Sequence, residues 1–427
     1  YLQFWLNSIK LHAPKAPCLL LGTFLDVLER NSSCKDTLRK INETLSVVIG
    51  TKFPQVITNQ IDDMIYFPVD NKTRKQFSLL REQIMACTRG QKFLKKLVSI
   101  RWTRILDQMM NVKPTISFER VKRLSFECGL SLREINEMLG FFHEIGAIIY
   151  FSSTEALRQT IITDAQWLIK SLCLVIRDSM HVENKTHGYD MGEINKLGLA
   201  TDLQRLLEIG ICSHDLLEYL WKTHFRFLLD LARRTLLMSD WGFDHEPSCL
   251  IPCMITSSKK YDNAESEYGL SFVFDFSQTF FPLGVFQRLV CLCVSYSRLY
   301  TTSQAPTLYQ ESCTLFWGSE EILIQDVKDN IKVTISKGNS KVSEILRIMR
   351  SMMMKIKNDM SSSSTAGEGI SWILQLQDCT VNRRRYVDFE QAKKLKLAPW
   401  FETFKDAKET TGVTLNLEEF LSDMKFT

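Results

Sequence analysis

The alternation of apolar and polar residues is strongest in the second half of the chain. Residues 270–276, LSFVFDF, alternate with a period of two and predict a strand with one buried face. The run FPLG at 281–284 breaks this pattern, and an apolar helix is predicted over residues 285–296. The residues that we expect on the buried face of the strand are Phe272, Phe274 and Phe276.

Three further short runs follow this helix, each separated from the next by turn residues. They cover residues 312–317, 321–324 and 331–335, and they are typical of an antiparallel meander. A helix over 342–358 is then predicted to pack across the meander. This region therefore has the pattern of an α+β fold.

The first ninety residues have a different pattern, in which strands and helices alternate. Continuous apolar runs predict buried strands at Cys18–Leu21 and Asp63–Val69, with a helix over 31–48 between them. Helical spacing over 73–86 places Phe77, Leu80 and Ile84 on one face. The alternation indicates an α/β sheet, whose binding sites would lie at the carboxyl ends of its strands.

The middle of the chain is mostly helical. Helices are predicted over 97–110, over 118–126 and from Ser131 to Ile145, and the last of them opens with the capping box Ser131–Glu134. Short strands at 147–151 and 159–162 resemble a wing, so this part is winged-helix-like. Further helices are expected from residue 167 to residue 237.

Composition limits the classes of partner. The 427 residues suggest roughly two to four domains, and Lys plus Arg exceed Asp plus Glu by only 53 to 49. This balance gives no strong field for nucleic acid or anionic lipid. Apolar runs such as 289–294 are shorter than the roughly 20 residues that cross a bilayer. We expect a cytoplasmic protein without a transmembrane segment, and the missing initiating Met suggests a piece of a longer chain.

The twelve cysteines contain no C-x-x-C pair, and the seven histidines are scattered. A zinc knuckle needs four convergent ligands, so the spacing favours ordinary reduced cysteines and predicts no metal site.

The order of these segments resembles the C-terminal half of a Roc GTPase domain followed by a COR domain, the arrangement found in Roco proteins such as the leucine-rich repeat kinases. The resemblance rests on residues 268–289, on the apolar helix at 97–110 and on Leu250-Ile251-Pro252, where COR domains carry a Y-L-I-P-S-L-L strand. It implies a partial P-loop GTPase-like parallel sheet, then a winged-helix-like COR subdomain, then a COR subdomain with an antiparallel sheet and helices.

The resemblance also implies a guanine-binding site. Gly22-Thr23-Phe24-Leu25-Asp26 stands where small GTPases carry [NT]-K-x-D, so Asp26 would accept hydrogen bonds from the guanine nitrogens. Asp70-Asn71-Lys72 takes the place of S-A-K, whose backbone N–H groups contact the guanine carbonyl oxygen. A single Asp after a strand is also a common helix cap or turn residue. The guanine-binding candidates are Thr23, Phe24, Asp26, Asp70, Asn71 and Lys72.

The phosphate-binding part of a GTPase is not found in the sequence. No G-x-x-x-x-G-K-[ST] and no D-x-x-G occurs, so the phosphate cradle and the Mg²⁺ ligands are absent from these residues. We expect GTP or GDP to bind in the full-length parent and this fragment alone not to be catalytic. Whether the parent hydrolyses GTP, or also carries a Ser/Thr kinase, stays open.

The expected domains follow from these patterns. Residues 1–92 would be the Roc half, 93–262 COR subdomain A, 263–385 COR subdomain B with the dimer interface, and 386–427 a helical tail of no assigned role.

The leading hypothesis is a regulatory and dimerisation module that couples the nucleotide state of the adjoining G domain to self-association and to an effector domain. A nucleotide-independent scaffold with a decayed G domain is the first alternative, because Phe24 and Asp70-Asn71-Lys72 depart from the family motifs. The second is a winged-helix nucleic-acid-binding protein, which the acids of the helix at 131–145 oppose, since they outnumber its one Arg.

Overall fold

The computed structural model describes residues 1–30, 33–91, 97–177, 188–258, 269–299, 304–336, 341–360, 369–378, 385–401 and 420–421. The chain forms two compact units, one made of Tyr1–Ser99 with Met360–Ile370 and the other of Ile100–Asp359 with Ser371–Thr427. The fold is mixed, with one parallel sheet and three antiparallel sheets among the described residues. Within those same residues, no helix has both the length and the hydropathy needed to cross a bilayer.

The first unit is built around a short parallel pair of strands in which Leu21 lies opposite Phe67. Both strands are shorter than predicted: only isolated bridges join Cys18 to Val56 and Asn59 to Met64. The Asn59 side chain accepts from two backbone N–H groups of the following turn, so the chain reverses before it extends. The elements are α1 (Leu2–His12), β1 (Leu21–Gly22), α2 (Leu25–Glu29), α3 (Cys34–Ile49), β2 (Phe67–Pro68) and α4 (Phe77–Arg89).

Helix α4 buries less than its sequence pattern predicted. Leu80 packs with Phe67 and Val69, but Phe77 is 37% exposed and Ile84 is 46% exposed. The predicted face is therefore only partly covered, because the described core of this unit consists of small separate clusters.

Residues 100–162 form four helices and a three-stranded sheet in the order β3-β5-β4. The first helix starts at Ile100, and Leu97 is fully exposed, so the predicted start at 97 was too early. The capping box of Ser131 and Glu134 is confirmed. The elements are α5 (Ile100–Met110), β3 (Thr115–Ser117), α6 (Phe118–Glu127), α7 (Leu132–Glu144), β4 (Ile149–Tyr150), α8 (Glu155–Arg158) and β5 (Thr160–Ile162).

Residues 165–255 surround a second core and a sheet in the order β6-β8-β7. Trp221 is 3% exposed, and its indole N–H donates to the Ser171 carbonyl oxygen at 2.8 Å. The elements are α9 (Ala165–Cys173), α10 (Met191–Lys196), α11 (Ala200–Ile209), β6 (Ile211–Ser213), α12 (His214–Trp221), α13 (Phe225–Arg234), β7 (Ser239–Asp240) and β8 (Ser248–Leu250).

The C-terminal region is a seven-stranded antiparallel sheet in the order β10-β11-β12-β13-β9-β14-β15. Phe272 and Phe274 of β9, and Phe276 directly after it, are fully buried, as the alternation predicted. The elements are β9 (Gly269–Asp275), α14 (Val285–Ser297), β10 (Thr307–Tyr309), β11 (Ser312–Trp317), β12 (Glu320–Val327), β13 (Asn330–Ser336), α15 (Val342–Met360), β14 (Ile373–Asp378), β15 (Arg385–Asp388) and α16 (Phe389–Lys394).

This sheet continues past residue 385, where the sequence pattern placed an unassigned tail. Strand β14 pairs with β9 and β15 pairs with β14, so β9 is an interior strand. Trp400 is 1% exposed and packs edge-on against Phe272, with ring centroids 5.8 Å apart. Residues 385–401 thus belong to the sheet and its core. Residues 361–368 and most of the predicted tail at 386–427 fall outside the described residues.

Candidate functional site

The two predicted guanine-binding segments lie side by side in the first unit. Because β1 and β2 are parallel neighbours, the residues that follow them leave the sheet at the same edge. The Val69 N–H donates to the Gly22 carbonyl at 2.8 Å, and the Leu25 N–H donates to the Val69 carbonyl at 3.2 Å. The fold therefore brings the segment 23–26 next to the segment 70–72.

Phe24 and Asp26 stand at the start of α2. Phe24 has a left-handed backbone with φ of 64°, and its side chain is 69% exposed. Asp26 lies in the first turn and accepts a hydrogen bond from Arg30 at 3.3 Å. This ion pair is solvent-accessible, and such pairs contribute little stability, so the carboxylate can exchange Arg30 for another donor.

The Asp70 carboxylate accepts hydrogen bonds from the turn that follows it. Asp70 is only 3% exposed. Its carboxylate accepts hydrogen bonds from the Thr73 hydroxyl, from the Lys72 N–H at 2.8 Å and from the Thr73 N–H at 3.2 Å. These hydrogen bonds, chiefly that of the Thr73 hydroxyl, hold the pKa of Asp70 below its usual value. Asp70 thus closes its own turn and occupies the Lys72 N–H, while Asn71 and Lys72 are exposed.

An apolar cavity of about 180 Å³ adjoins β1, lined by residues that include Leu20, Gly22, Leu25 and Tyr66. The Tyr66 ring lies so close to Gly22 that a Cβ atom there would stand 2.8 Å from it. Glycine at position 22 therefore leaves room for the Tyr66 ring to pack over β1. The side chains that line the cavity are mainly apolar.

A second cluster of chemically active side chains lies at the sheet β6-β8-β7. His214 follows β6, Asp240 ends β7 and Cys249 is in the middle of β8. The His214 Nε2 is 3.4 Å from the Cys249 Sγ, which is 3.9 Å from the Asp240 Oδ1. Arg233 donates to Asp240 and lies 3.4 Å from the His214 Nε2.

Burial sets the protonation of this cluster. It raises the pKa of the Cys249 thiol to about 12, and, together with the charge of Arg233, it lowers the pKa of His214. Near neutral pH the cluster therefore contains a thiol and a neutral imidazole. The cysteine and histidine spacing predicted no metal site and gave no sign of this convergence, because the three residues belong to no motif and meet only through strand pairing.

Comparison with known proteins identifies the middle of the chain. Residues 99–255 match the family model described as C-terminal of Roc, COR-A domain. The probable serine/threonine-protein kinase roco5 of Dictyostelium discoideum is 26% identical over 179 residues, or 40% of this chain. The probable serine/threonine-protein kinase pats1 of the same organism is 21% identical over 365 residues, or 79% of this chain. Cyclic GMP-binding protein C, also from that organism, is 26% identical over 191 residues, or 43% of this chain.

The matched part is a small share of each relative, 6% for roco5, 7% for cyclic GMP-binding protein C and 10% for pats1. Among solved structures, Roco2 RocCORdC of Methanosarcina barkeri bound to GDP has 12% identity and a TM-score of 0.40. That match covers 60% of this chain and 68% of the other.

Proposed function

We propose that this chain, a Roc–COR protein with a COR-A domain at residues 99–255, is the regulatory and dimerisation module of a larger Roco-type protein. In this proposal it couples the guanine-nucleotide state of the parent to self-association and to an effector domain. In this proposal, GTP hydrolysis and any kinase activity belong to the parent, because the chain matches only a small part of its relatives.

The observation that carries the coupling is the burial of α14 between two regions. Almost all of its residues are buried, and it contacts β7 and the turn at Pro252–Met254 as well as β11 of the large sheet. Its Arg298 cap residue forms an ion pair with Asp240 at 3.0 Å. A displacement of residues 99–255 would therefore move α14 and the sheet with it, since packed cores deform little.

The domain limits that we propose are 1–92 for the Roc half, 93–262 for COR subdomain A and 263–401 for COR subdomain B. Helices α5, α6 and α7 and the β3-β5-β4 sheet support a winged-helix-like start of subdomain A. The pairing of β15 with β14 supports the extension of subdomain B beyond 385.

The proposed guanine contacts lie at the common edge of β1 and β2. Asp26 would leave Arg30 and accept from the base, the exposed ring of Phe24 would stack on it, and Thr23, Asn71 and Lys72 would border it. Asp70 would shape the loop rather than touch the base. The phosphates and Mg²⁺ would be held by residues outside this chain.

The test of coupling compares dimerisation in two nucleotide states. A longer chain that includes a phosphate-binding loop is loaded with GDP or with a non-hydrolysable GTP analogue, and its dimer dissociation constant is measured by analytical ultracentrifugation. We expect a difference of about fivefold or more, the lower end of usual allosteric couplings. Equal constants in both states would refute the coupling.

Self-association is tested on residues 1–427 themselves. The outer face of the meander contains partly exposed Leu323, and in a twofold dimer one Leu323→Glu substitution inserts two charges into the interface. We expect light scattering at tens of micromolar to show a dimer that this variant weakens. Val47→Glu, on the 85% exposed position of α3, is the matched control. A strict monomer would refute the dimer proposal.

A nucleotide-independent scaffold is favoured by one observation, the capture of the Lys72 N–H by Asp70 within its own turn. If the longer chain binds neither GDP nor GTP in calorimetry, while the Asp26→Asn variant behaves like the unaltered protein, the scaffold is the better description. Nucleic-acid binding is opposed by α7, whose acids outnumber its one Arg, and this Arg133 already pairs with Glu137.

A further inference from the structure

His214, Asp240 and Cys249 form a set of metal-ligand atoms outside the proposed nucleotide site. Their donor atoms all lie within 4.8 Å of one another. Imidazole nitrogen, thiolate sulfur and carboxylate oxygen are the three ligand types that Zn²⁺ takes in proteins. The set therefore has the chemistry of a zinc site.

The spacing of the donors agrees with tetrahedral coordination. Zinc–nitrogen and zinc–sulfur bonds of about 2.0 and 2.3 Å place two such ligands about 3.6 Å apart at the tetrahedral angle. The His214 Nε2 and the Cys249 Sγ are 3.4 Å apart, and the Cys249 Sγ and the Asp240 Oδ1 are 3.9 Å apart. Small side-chain rotations are enough to bring all three onto one ion.

Arg298 orients the Asp240 carboxylate by binding Oδ2, the oxygen that does not face Cys249. Its guanidinium donates to the Asp240 Oδ2 at 3.0 Å, and this leaves Oδ1 directed at Cys249. Such outer partners fix the ligands of metal sites and raise their affinity. Gly242 makes room for Arg298, because a Cβ atom at position 242 would stand 2.2 Å from the Arg298 Nε.

Arg233 already brings a positive charge to this set. Its guanidinium pairs with the Asp240 Oδ1 and lies 3.4 Å from the His214 Nε2. The Arg233 side chain is 34% exposed and lies in the last turn of α13, so its guanidinium can rotate away from the cluster into solvent. A cation is thus present at the place where the three donors converge.

We propose that His214, Asp240 and Cys249 bind a single Zn²⁺, which displaces the guanidinium of Arg233. The thiol proton passes to solvent as the Cys249 sulfur takes the metal, and the fourth position is open to water. A cavity of about 280 Å³, lined by residues that include Arg233, Ser239 and Asp240, offers the path of entry.

The first test uses Co²⁺ as a spectroscopic substitute for zinc on residues 1–427. We expect one ion per chain, with a thiolate-to-cobalt charge-transfer band and tetrahedral d–d bands, both removed by Zn²⁺. Cys249→Ser should abolish the charge-transfer band. Cys173→Ser, which changes an exposed thiol outside the cluster, should leave it intact.

The second test separates a metal site from a purely structural network. Zinc affinity is measured by competition with a chromophoric chelator. Arg233→Gln removes the competing cation and should raise the affinity about tenfold or more, since nearby like charges repel strongly. Arg298→Gln should lower it about tenfold, in the range known for outer partners. A structural network predicts no gain for Arg233→Gln.

Two results would overturn the proposal. One is the absence of a thiolate-to-cobalt band in both the unaltered chain and Arg233→Gln. The other is a band that survives in Cys249→Ser but disappears in Cys173→Ser, which would assign the binding to an unrelated surface thiol.

Discussion

Trp400 offers the sharpest test of where the large sheet and its core end. The sequence pattern assigned residue 400 to a tail of no known role, whereas the structure buries the ring against Phe272 and bonds its N–H to the Gln377 carbonyl at 2.9 Å. Trp400→Ala should therefore destabilise the second unit, and Trp400→Phe should do so much less.

The magnitude follows from the burial of the ring. A buried Trp side chain removes on the order of 200 Å² from water, which corresponds to about 5 kcal/mol at 25 cal/mol per Å². Trp400 also lines the groove of about 700 Å³ between α15 and residues 389–401, so water can enter the space that alanine leaves. We expect the loss to be near the lower end of the usual range, about 3 kcal/mol. Trp400→Phe should cost about 1 kcal/mol, mainly for the lost hydrogen bond.

The assay is hydrogen exchange of the intact chain under mild urea, which reports each unit separately. Protection should fall in β9 and β14 for Trp400→Ala and stay unchanged in α3 of the first unit. Leu395→Ala is the matched control, because Leu395 follows α16 and is 64% exposed. Equal protection of β9 in Trp400→Ala and Leu395→Ala would refute the assignment of residue 400 to the core.

Three further predictions concern other parts of the chain. Burial, together with the charges of Glu311 and Asp329, raises the pKa of Asp326 from 3.8 to about 6. The protonated form therefore contributes its full stability below pH 3.8, and this contribution is lost as the pH rises through 6. Asp326→Asn should therefore stabilise the chain by about 1 kcal/mol at pH 7, a value reduced for partial solvent screening, and by nothing at pH 3.5 in urea titrations. Ser131→Ala, which removes the capping box of α7, should cost about 1 kcal/mol of unfolding free energy, while Ser131→Thr should restore most of it. Residues 1–427 should bind GTP and GDP no better than background in calorimetry, and submicromolar affinity would contradict the assignment of the phosphate contacts to residues outside this chain.

Local patterns were sufficient for the elements whose stability is local. The period of two in β9 fixes which side chains share a face, so the burial of Phe272, Phe274 and Phe276 followed from the sequence. The capping box of α7 was equally readable, because its partners are three residues apart. The order of elements, and with it the Roc–COR resemblance, came from the same signals.

Helical spacing did not determine how much of α4 would be buried. The spacing places Phe77, Leu80 and Ile84 on one face, but of these three only Leu80 is buried in a hydrophobic cluster. The spacing gives the direction in which side chains point, but the neighbouring elements decide whether anything covers them.

The tertiary structure alone decided the features that depend on distant pairing. Strand β14 reaches β9 across roughly a hundred residues, as the bond from the Ser271 N–H to the Gln377 side chain shows. His214, Asp240 and Cys249 likewise meet only because β6 and β7 flank β8. A sequence pattern records which face a residue takes, whereas the choice of partner strand depends on the free energy of the whole sheet, and no local window contains it.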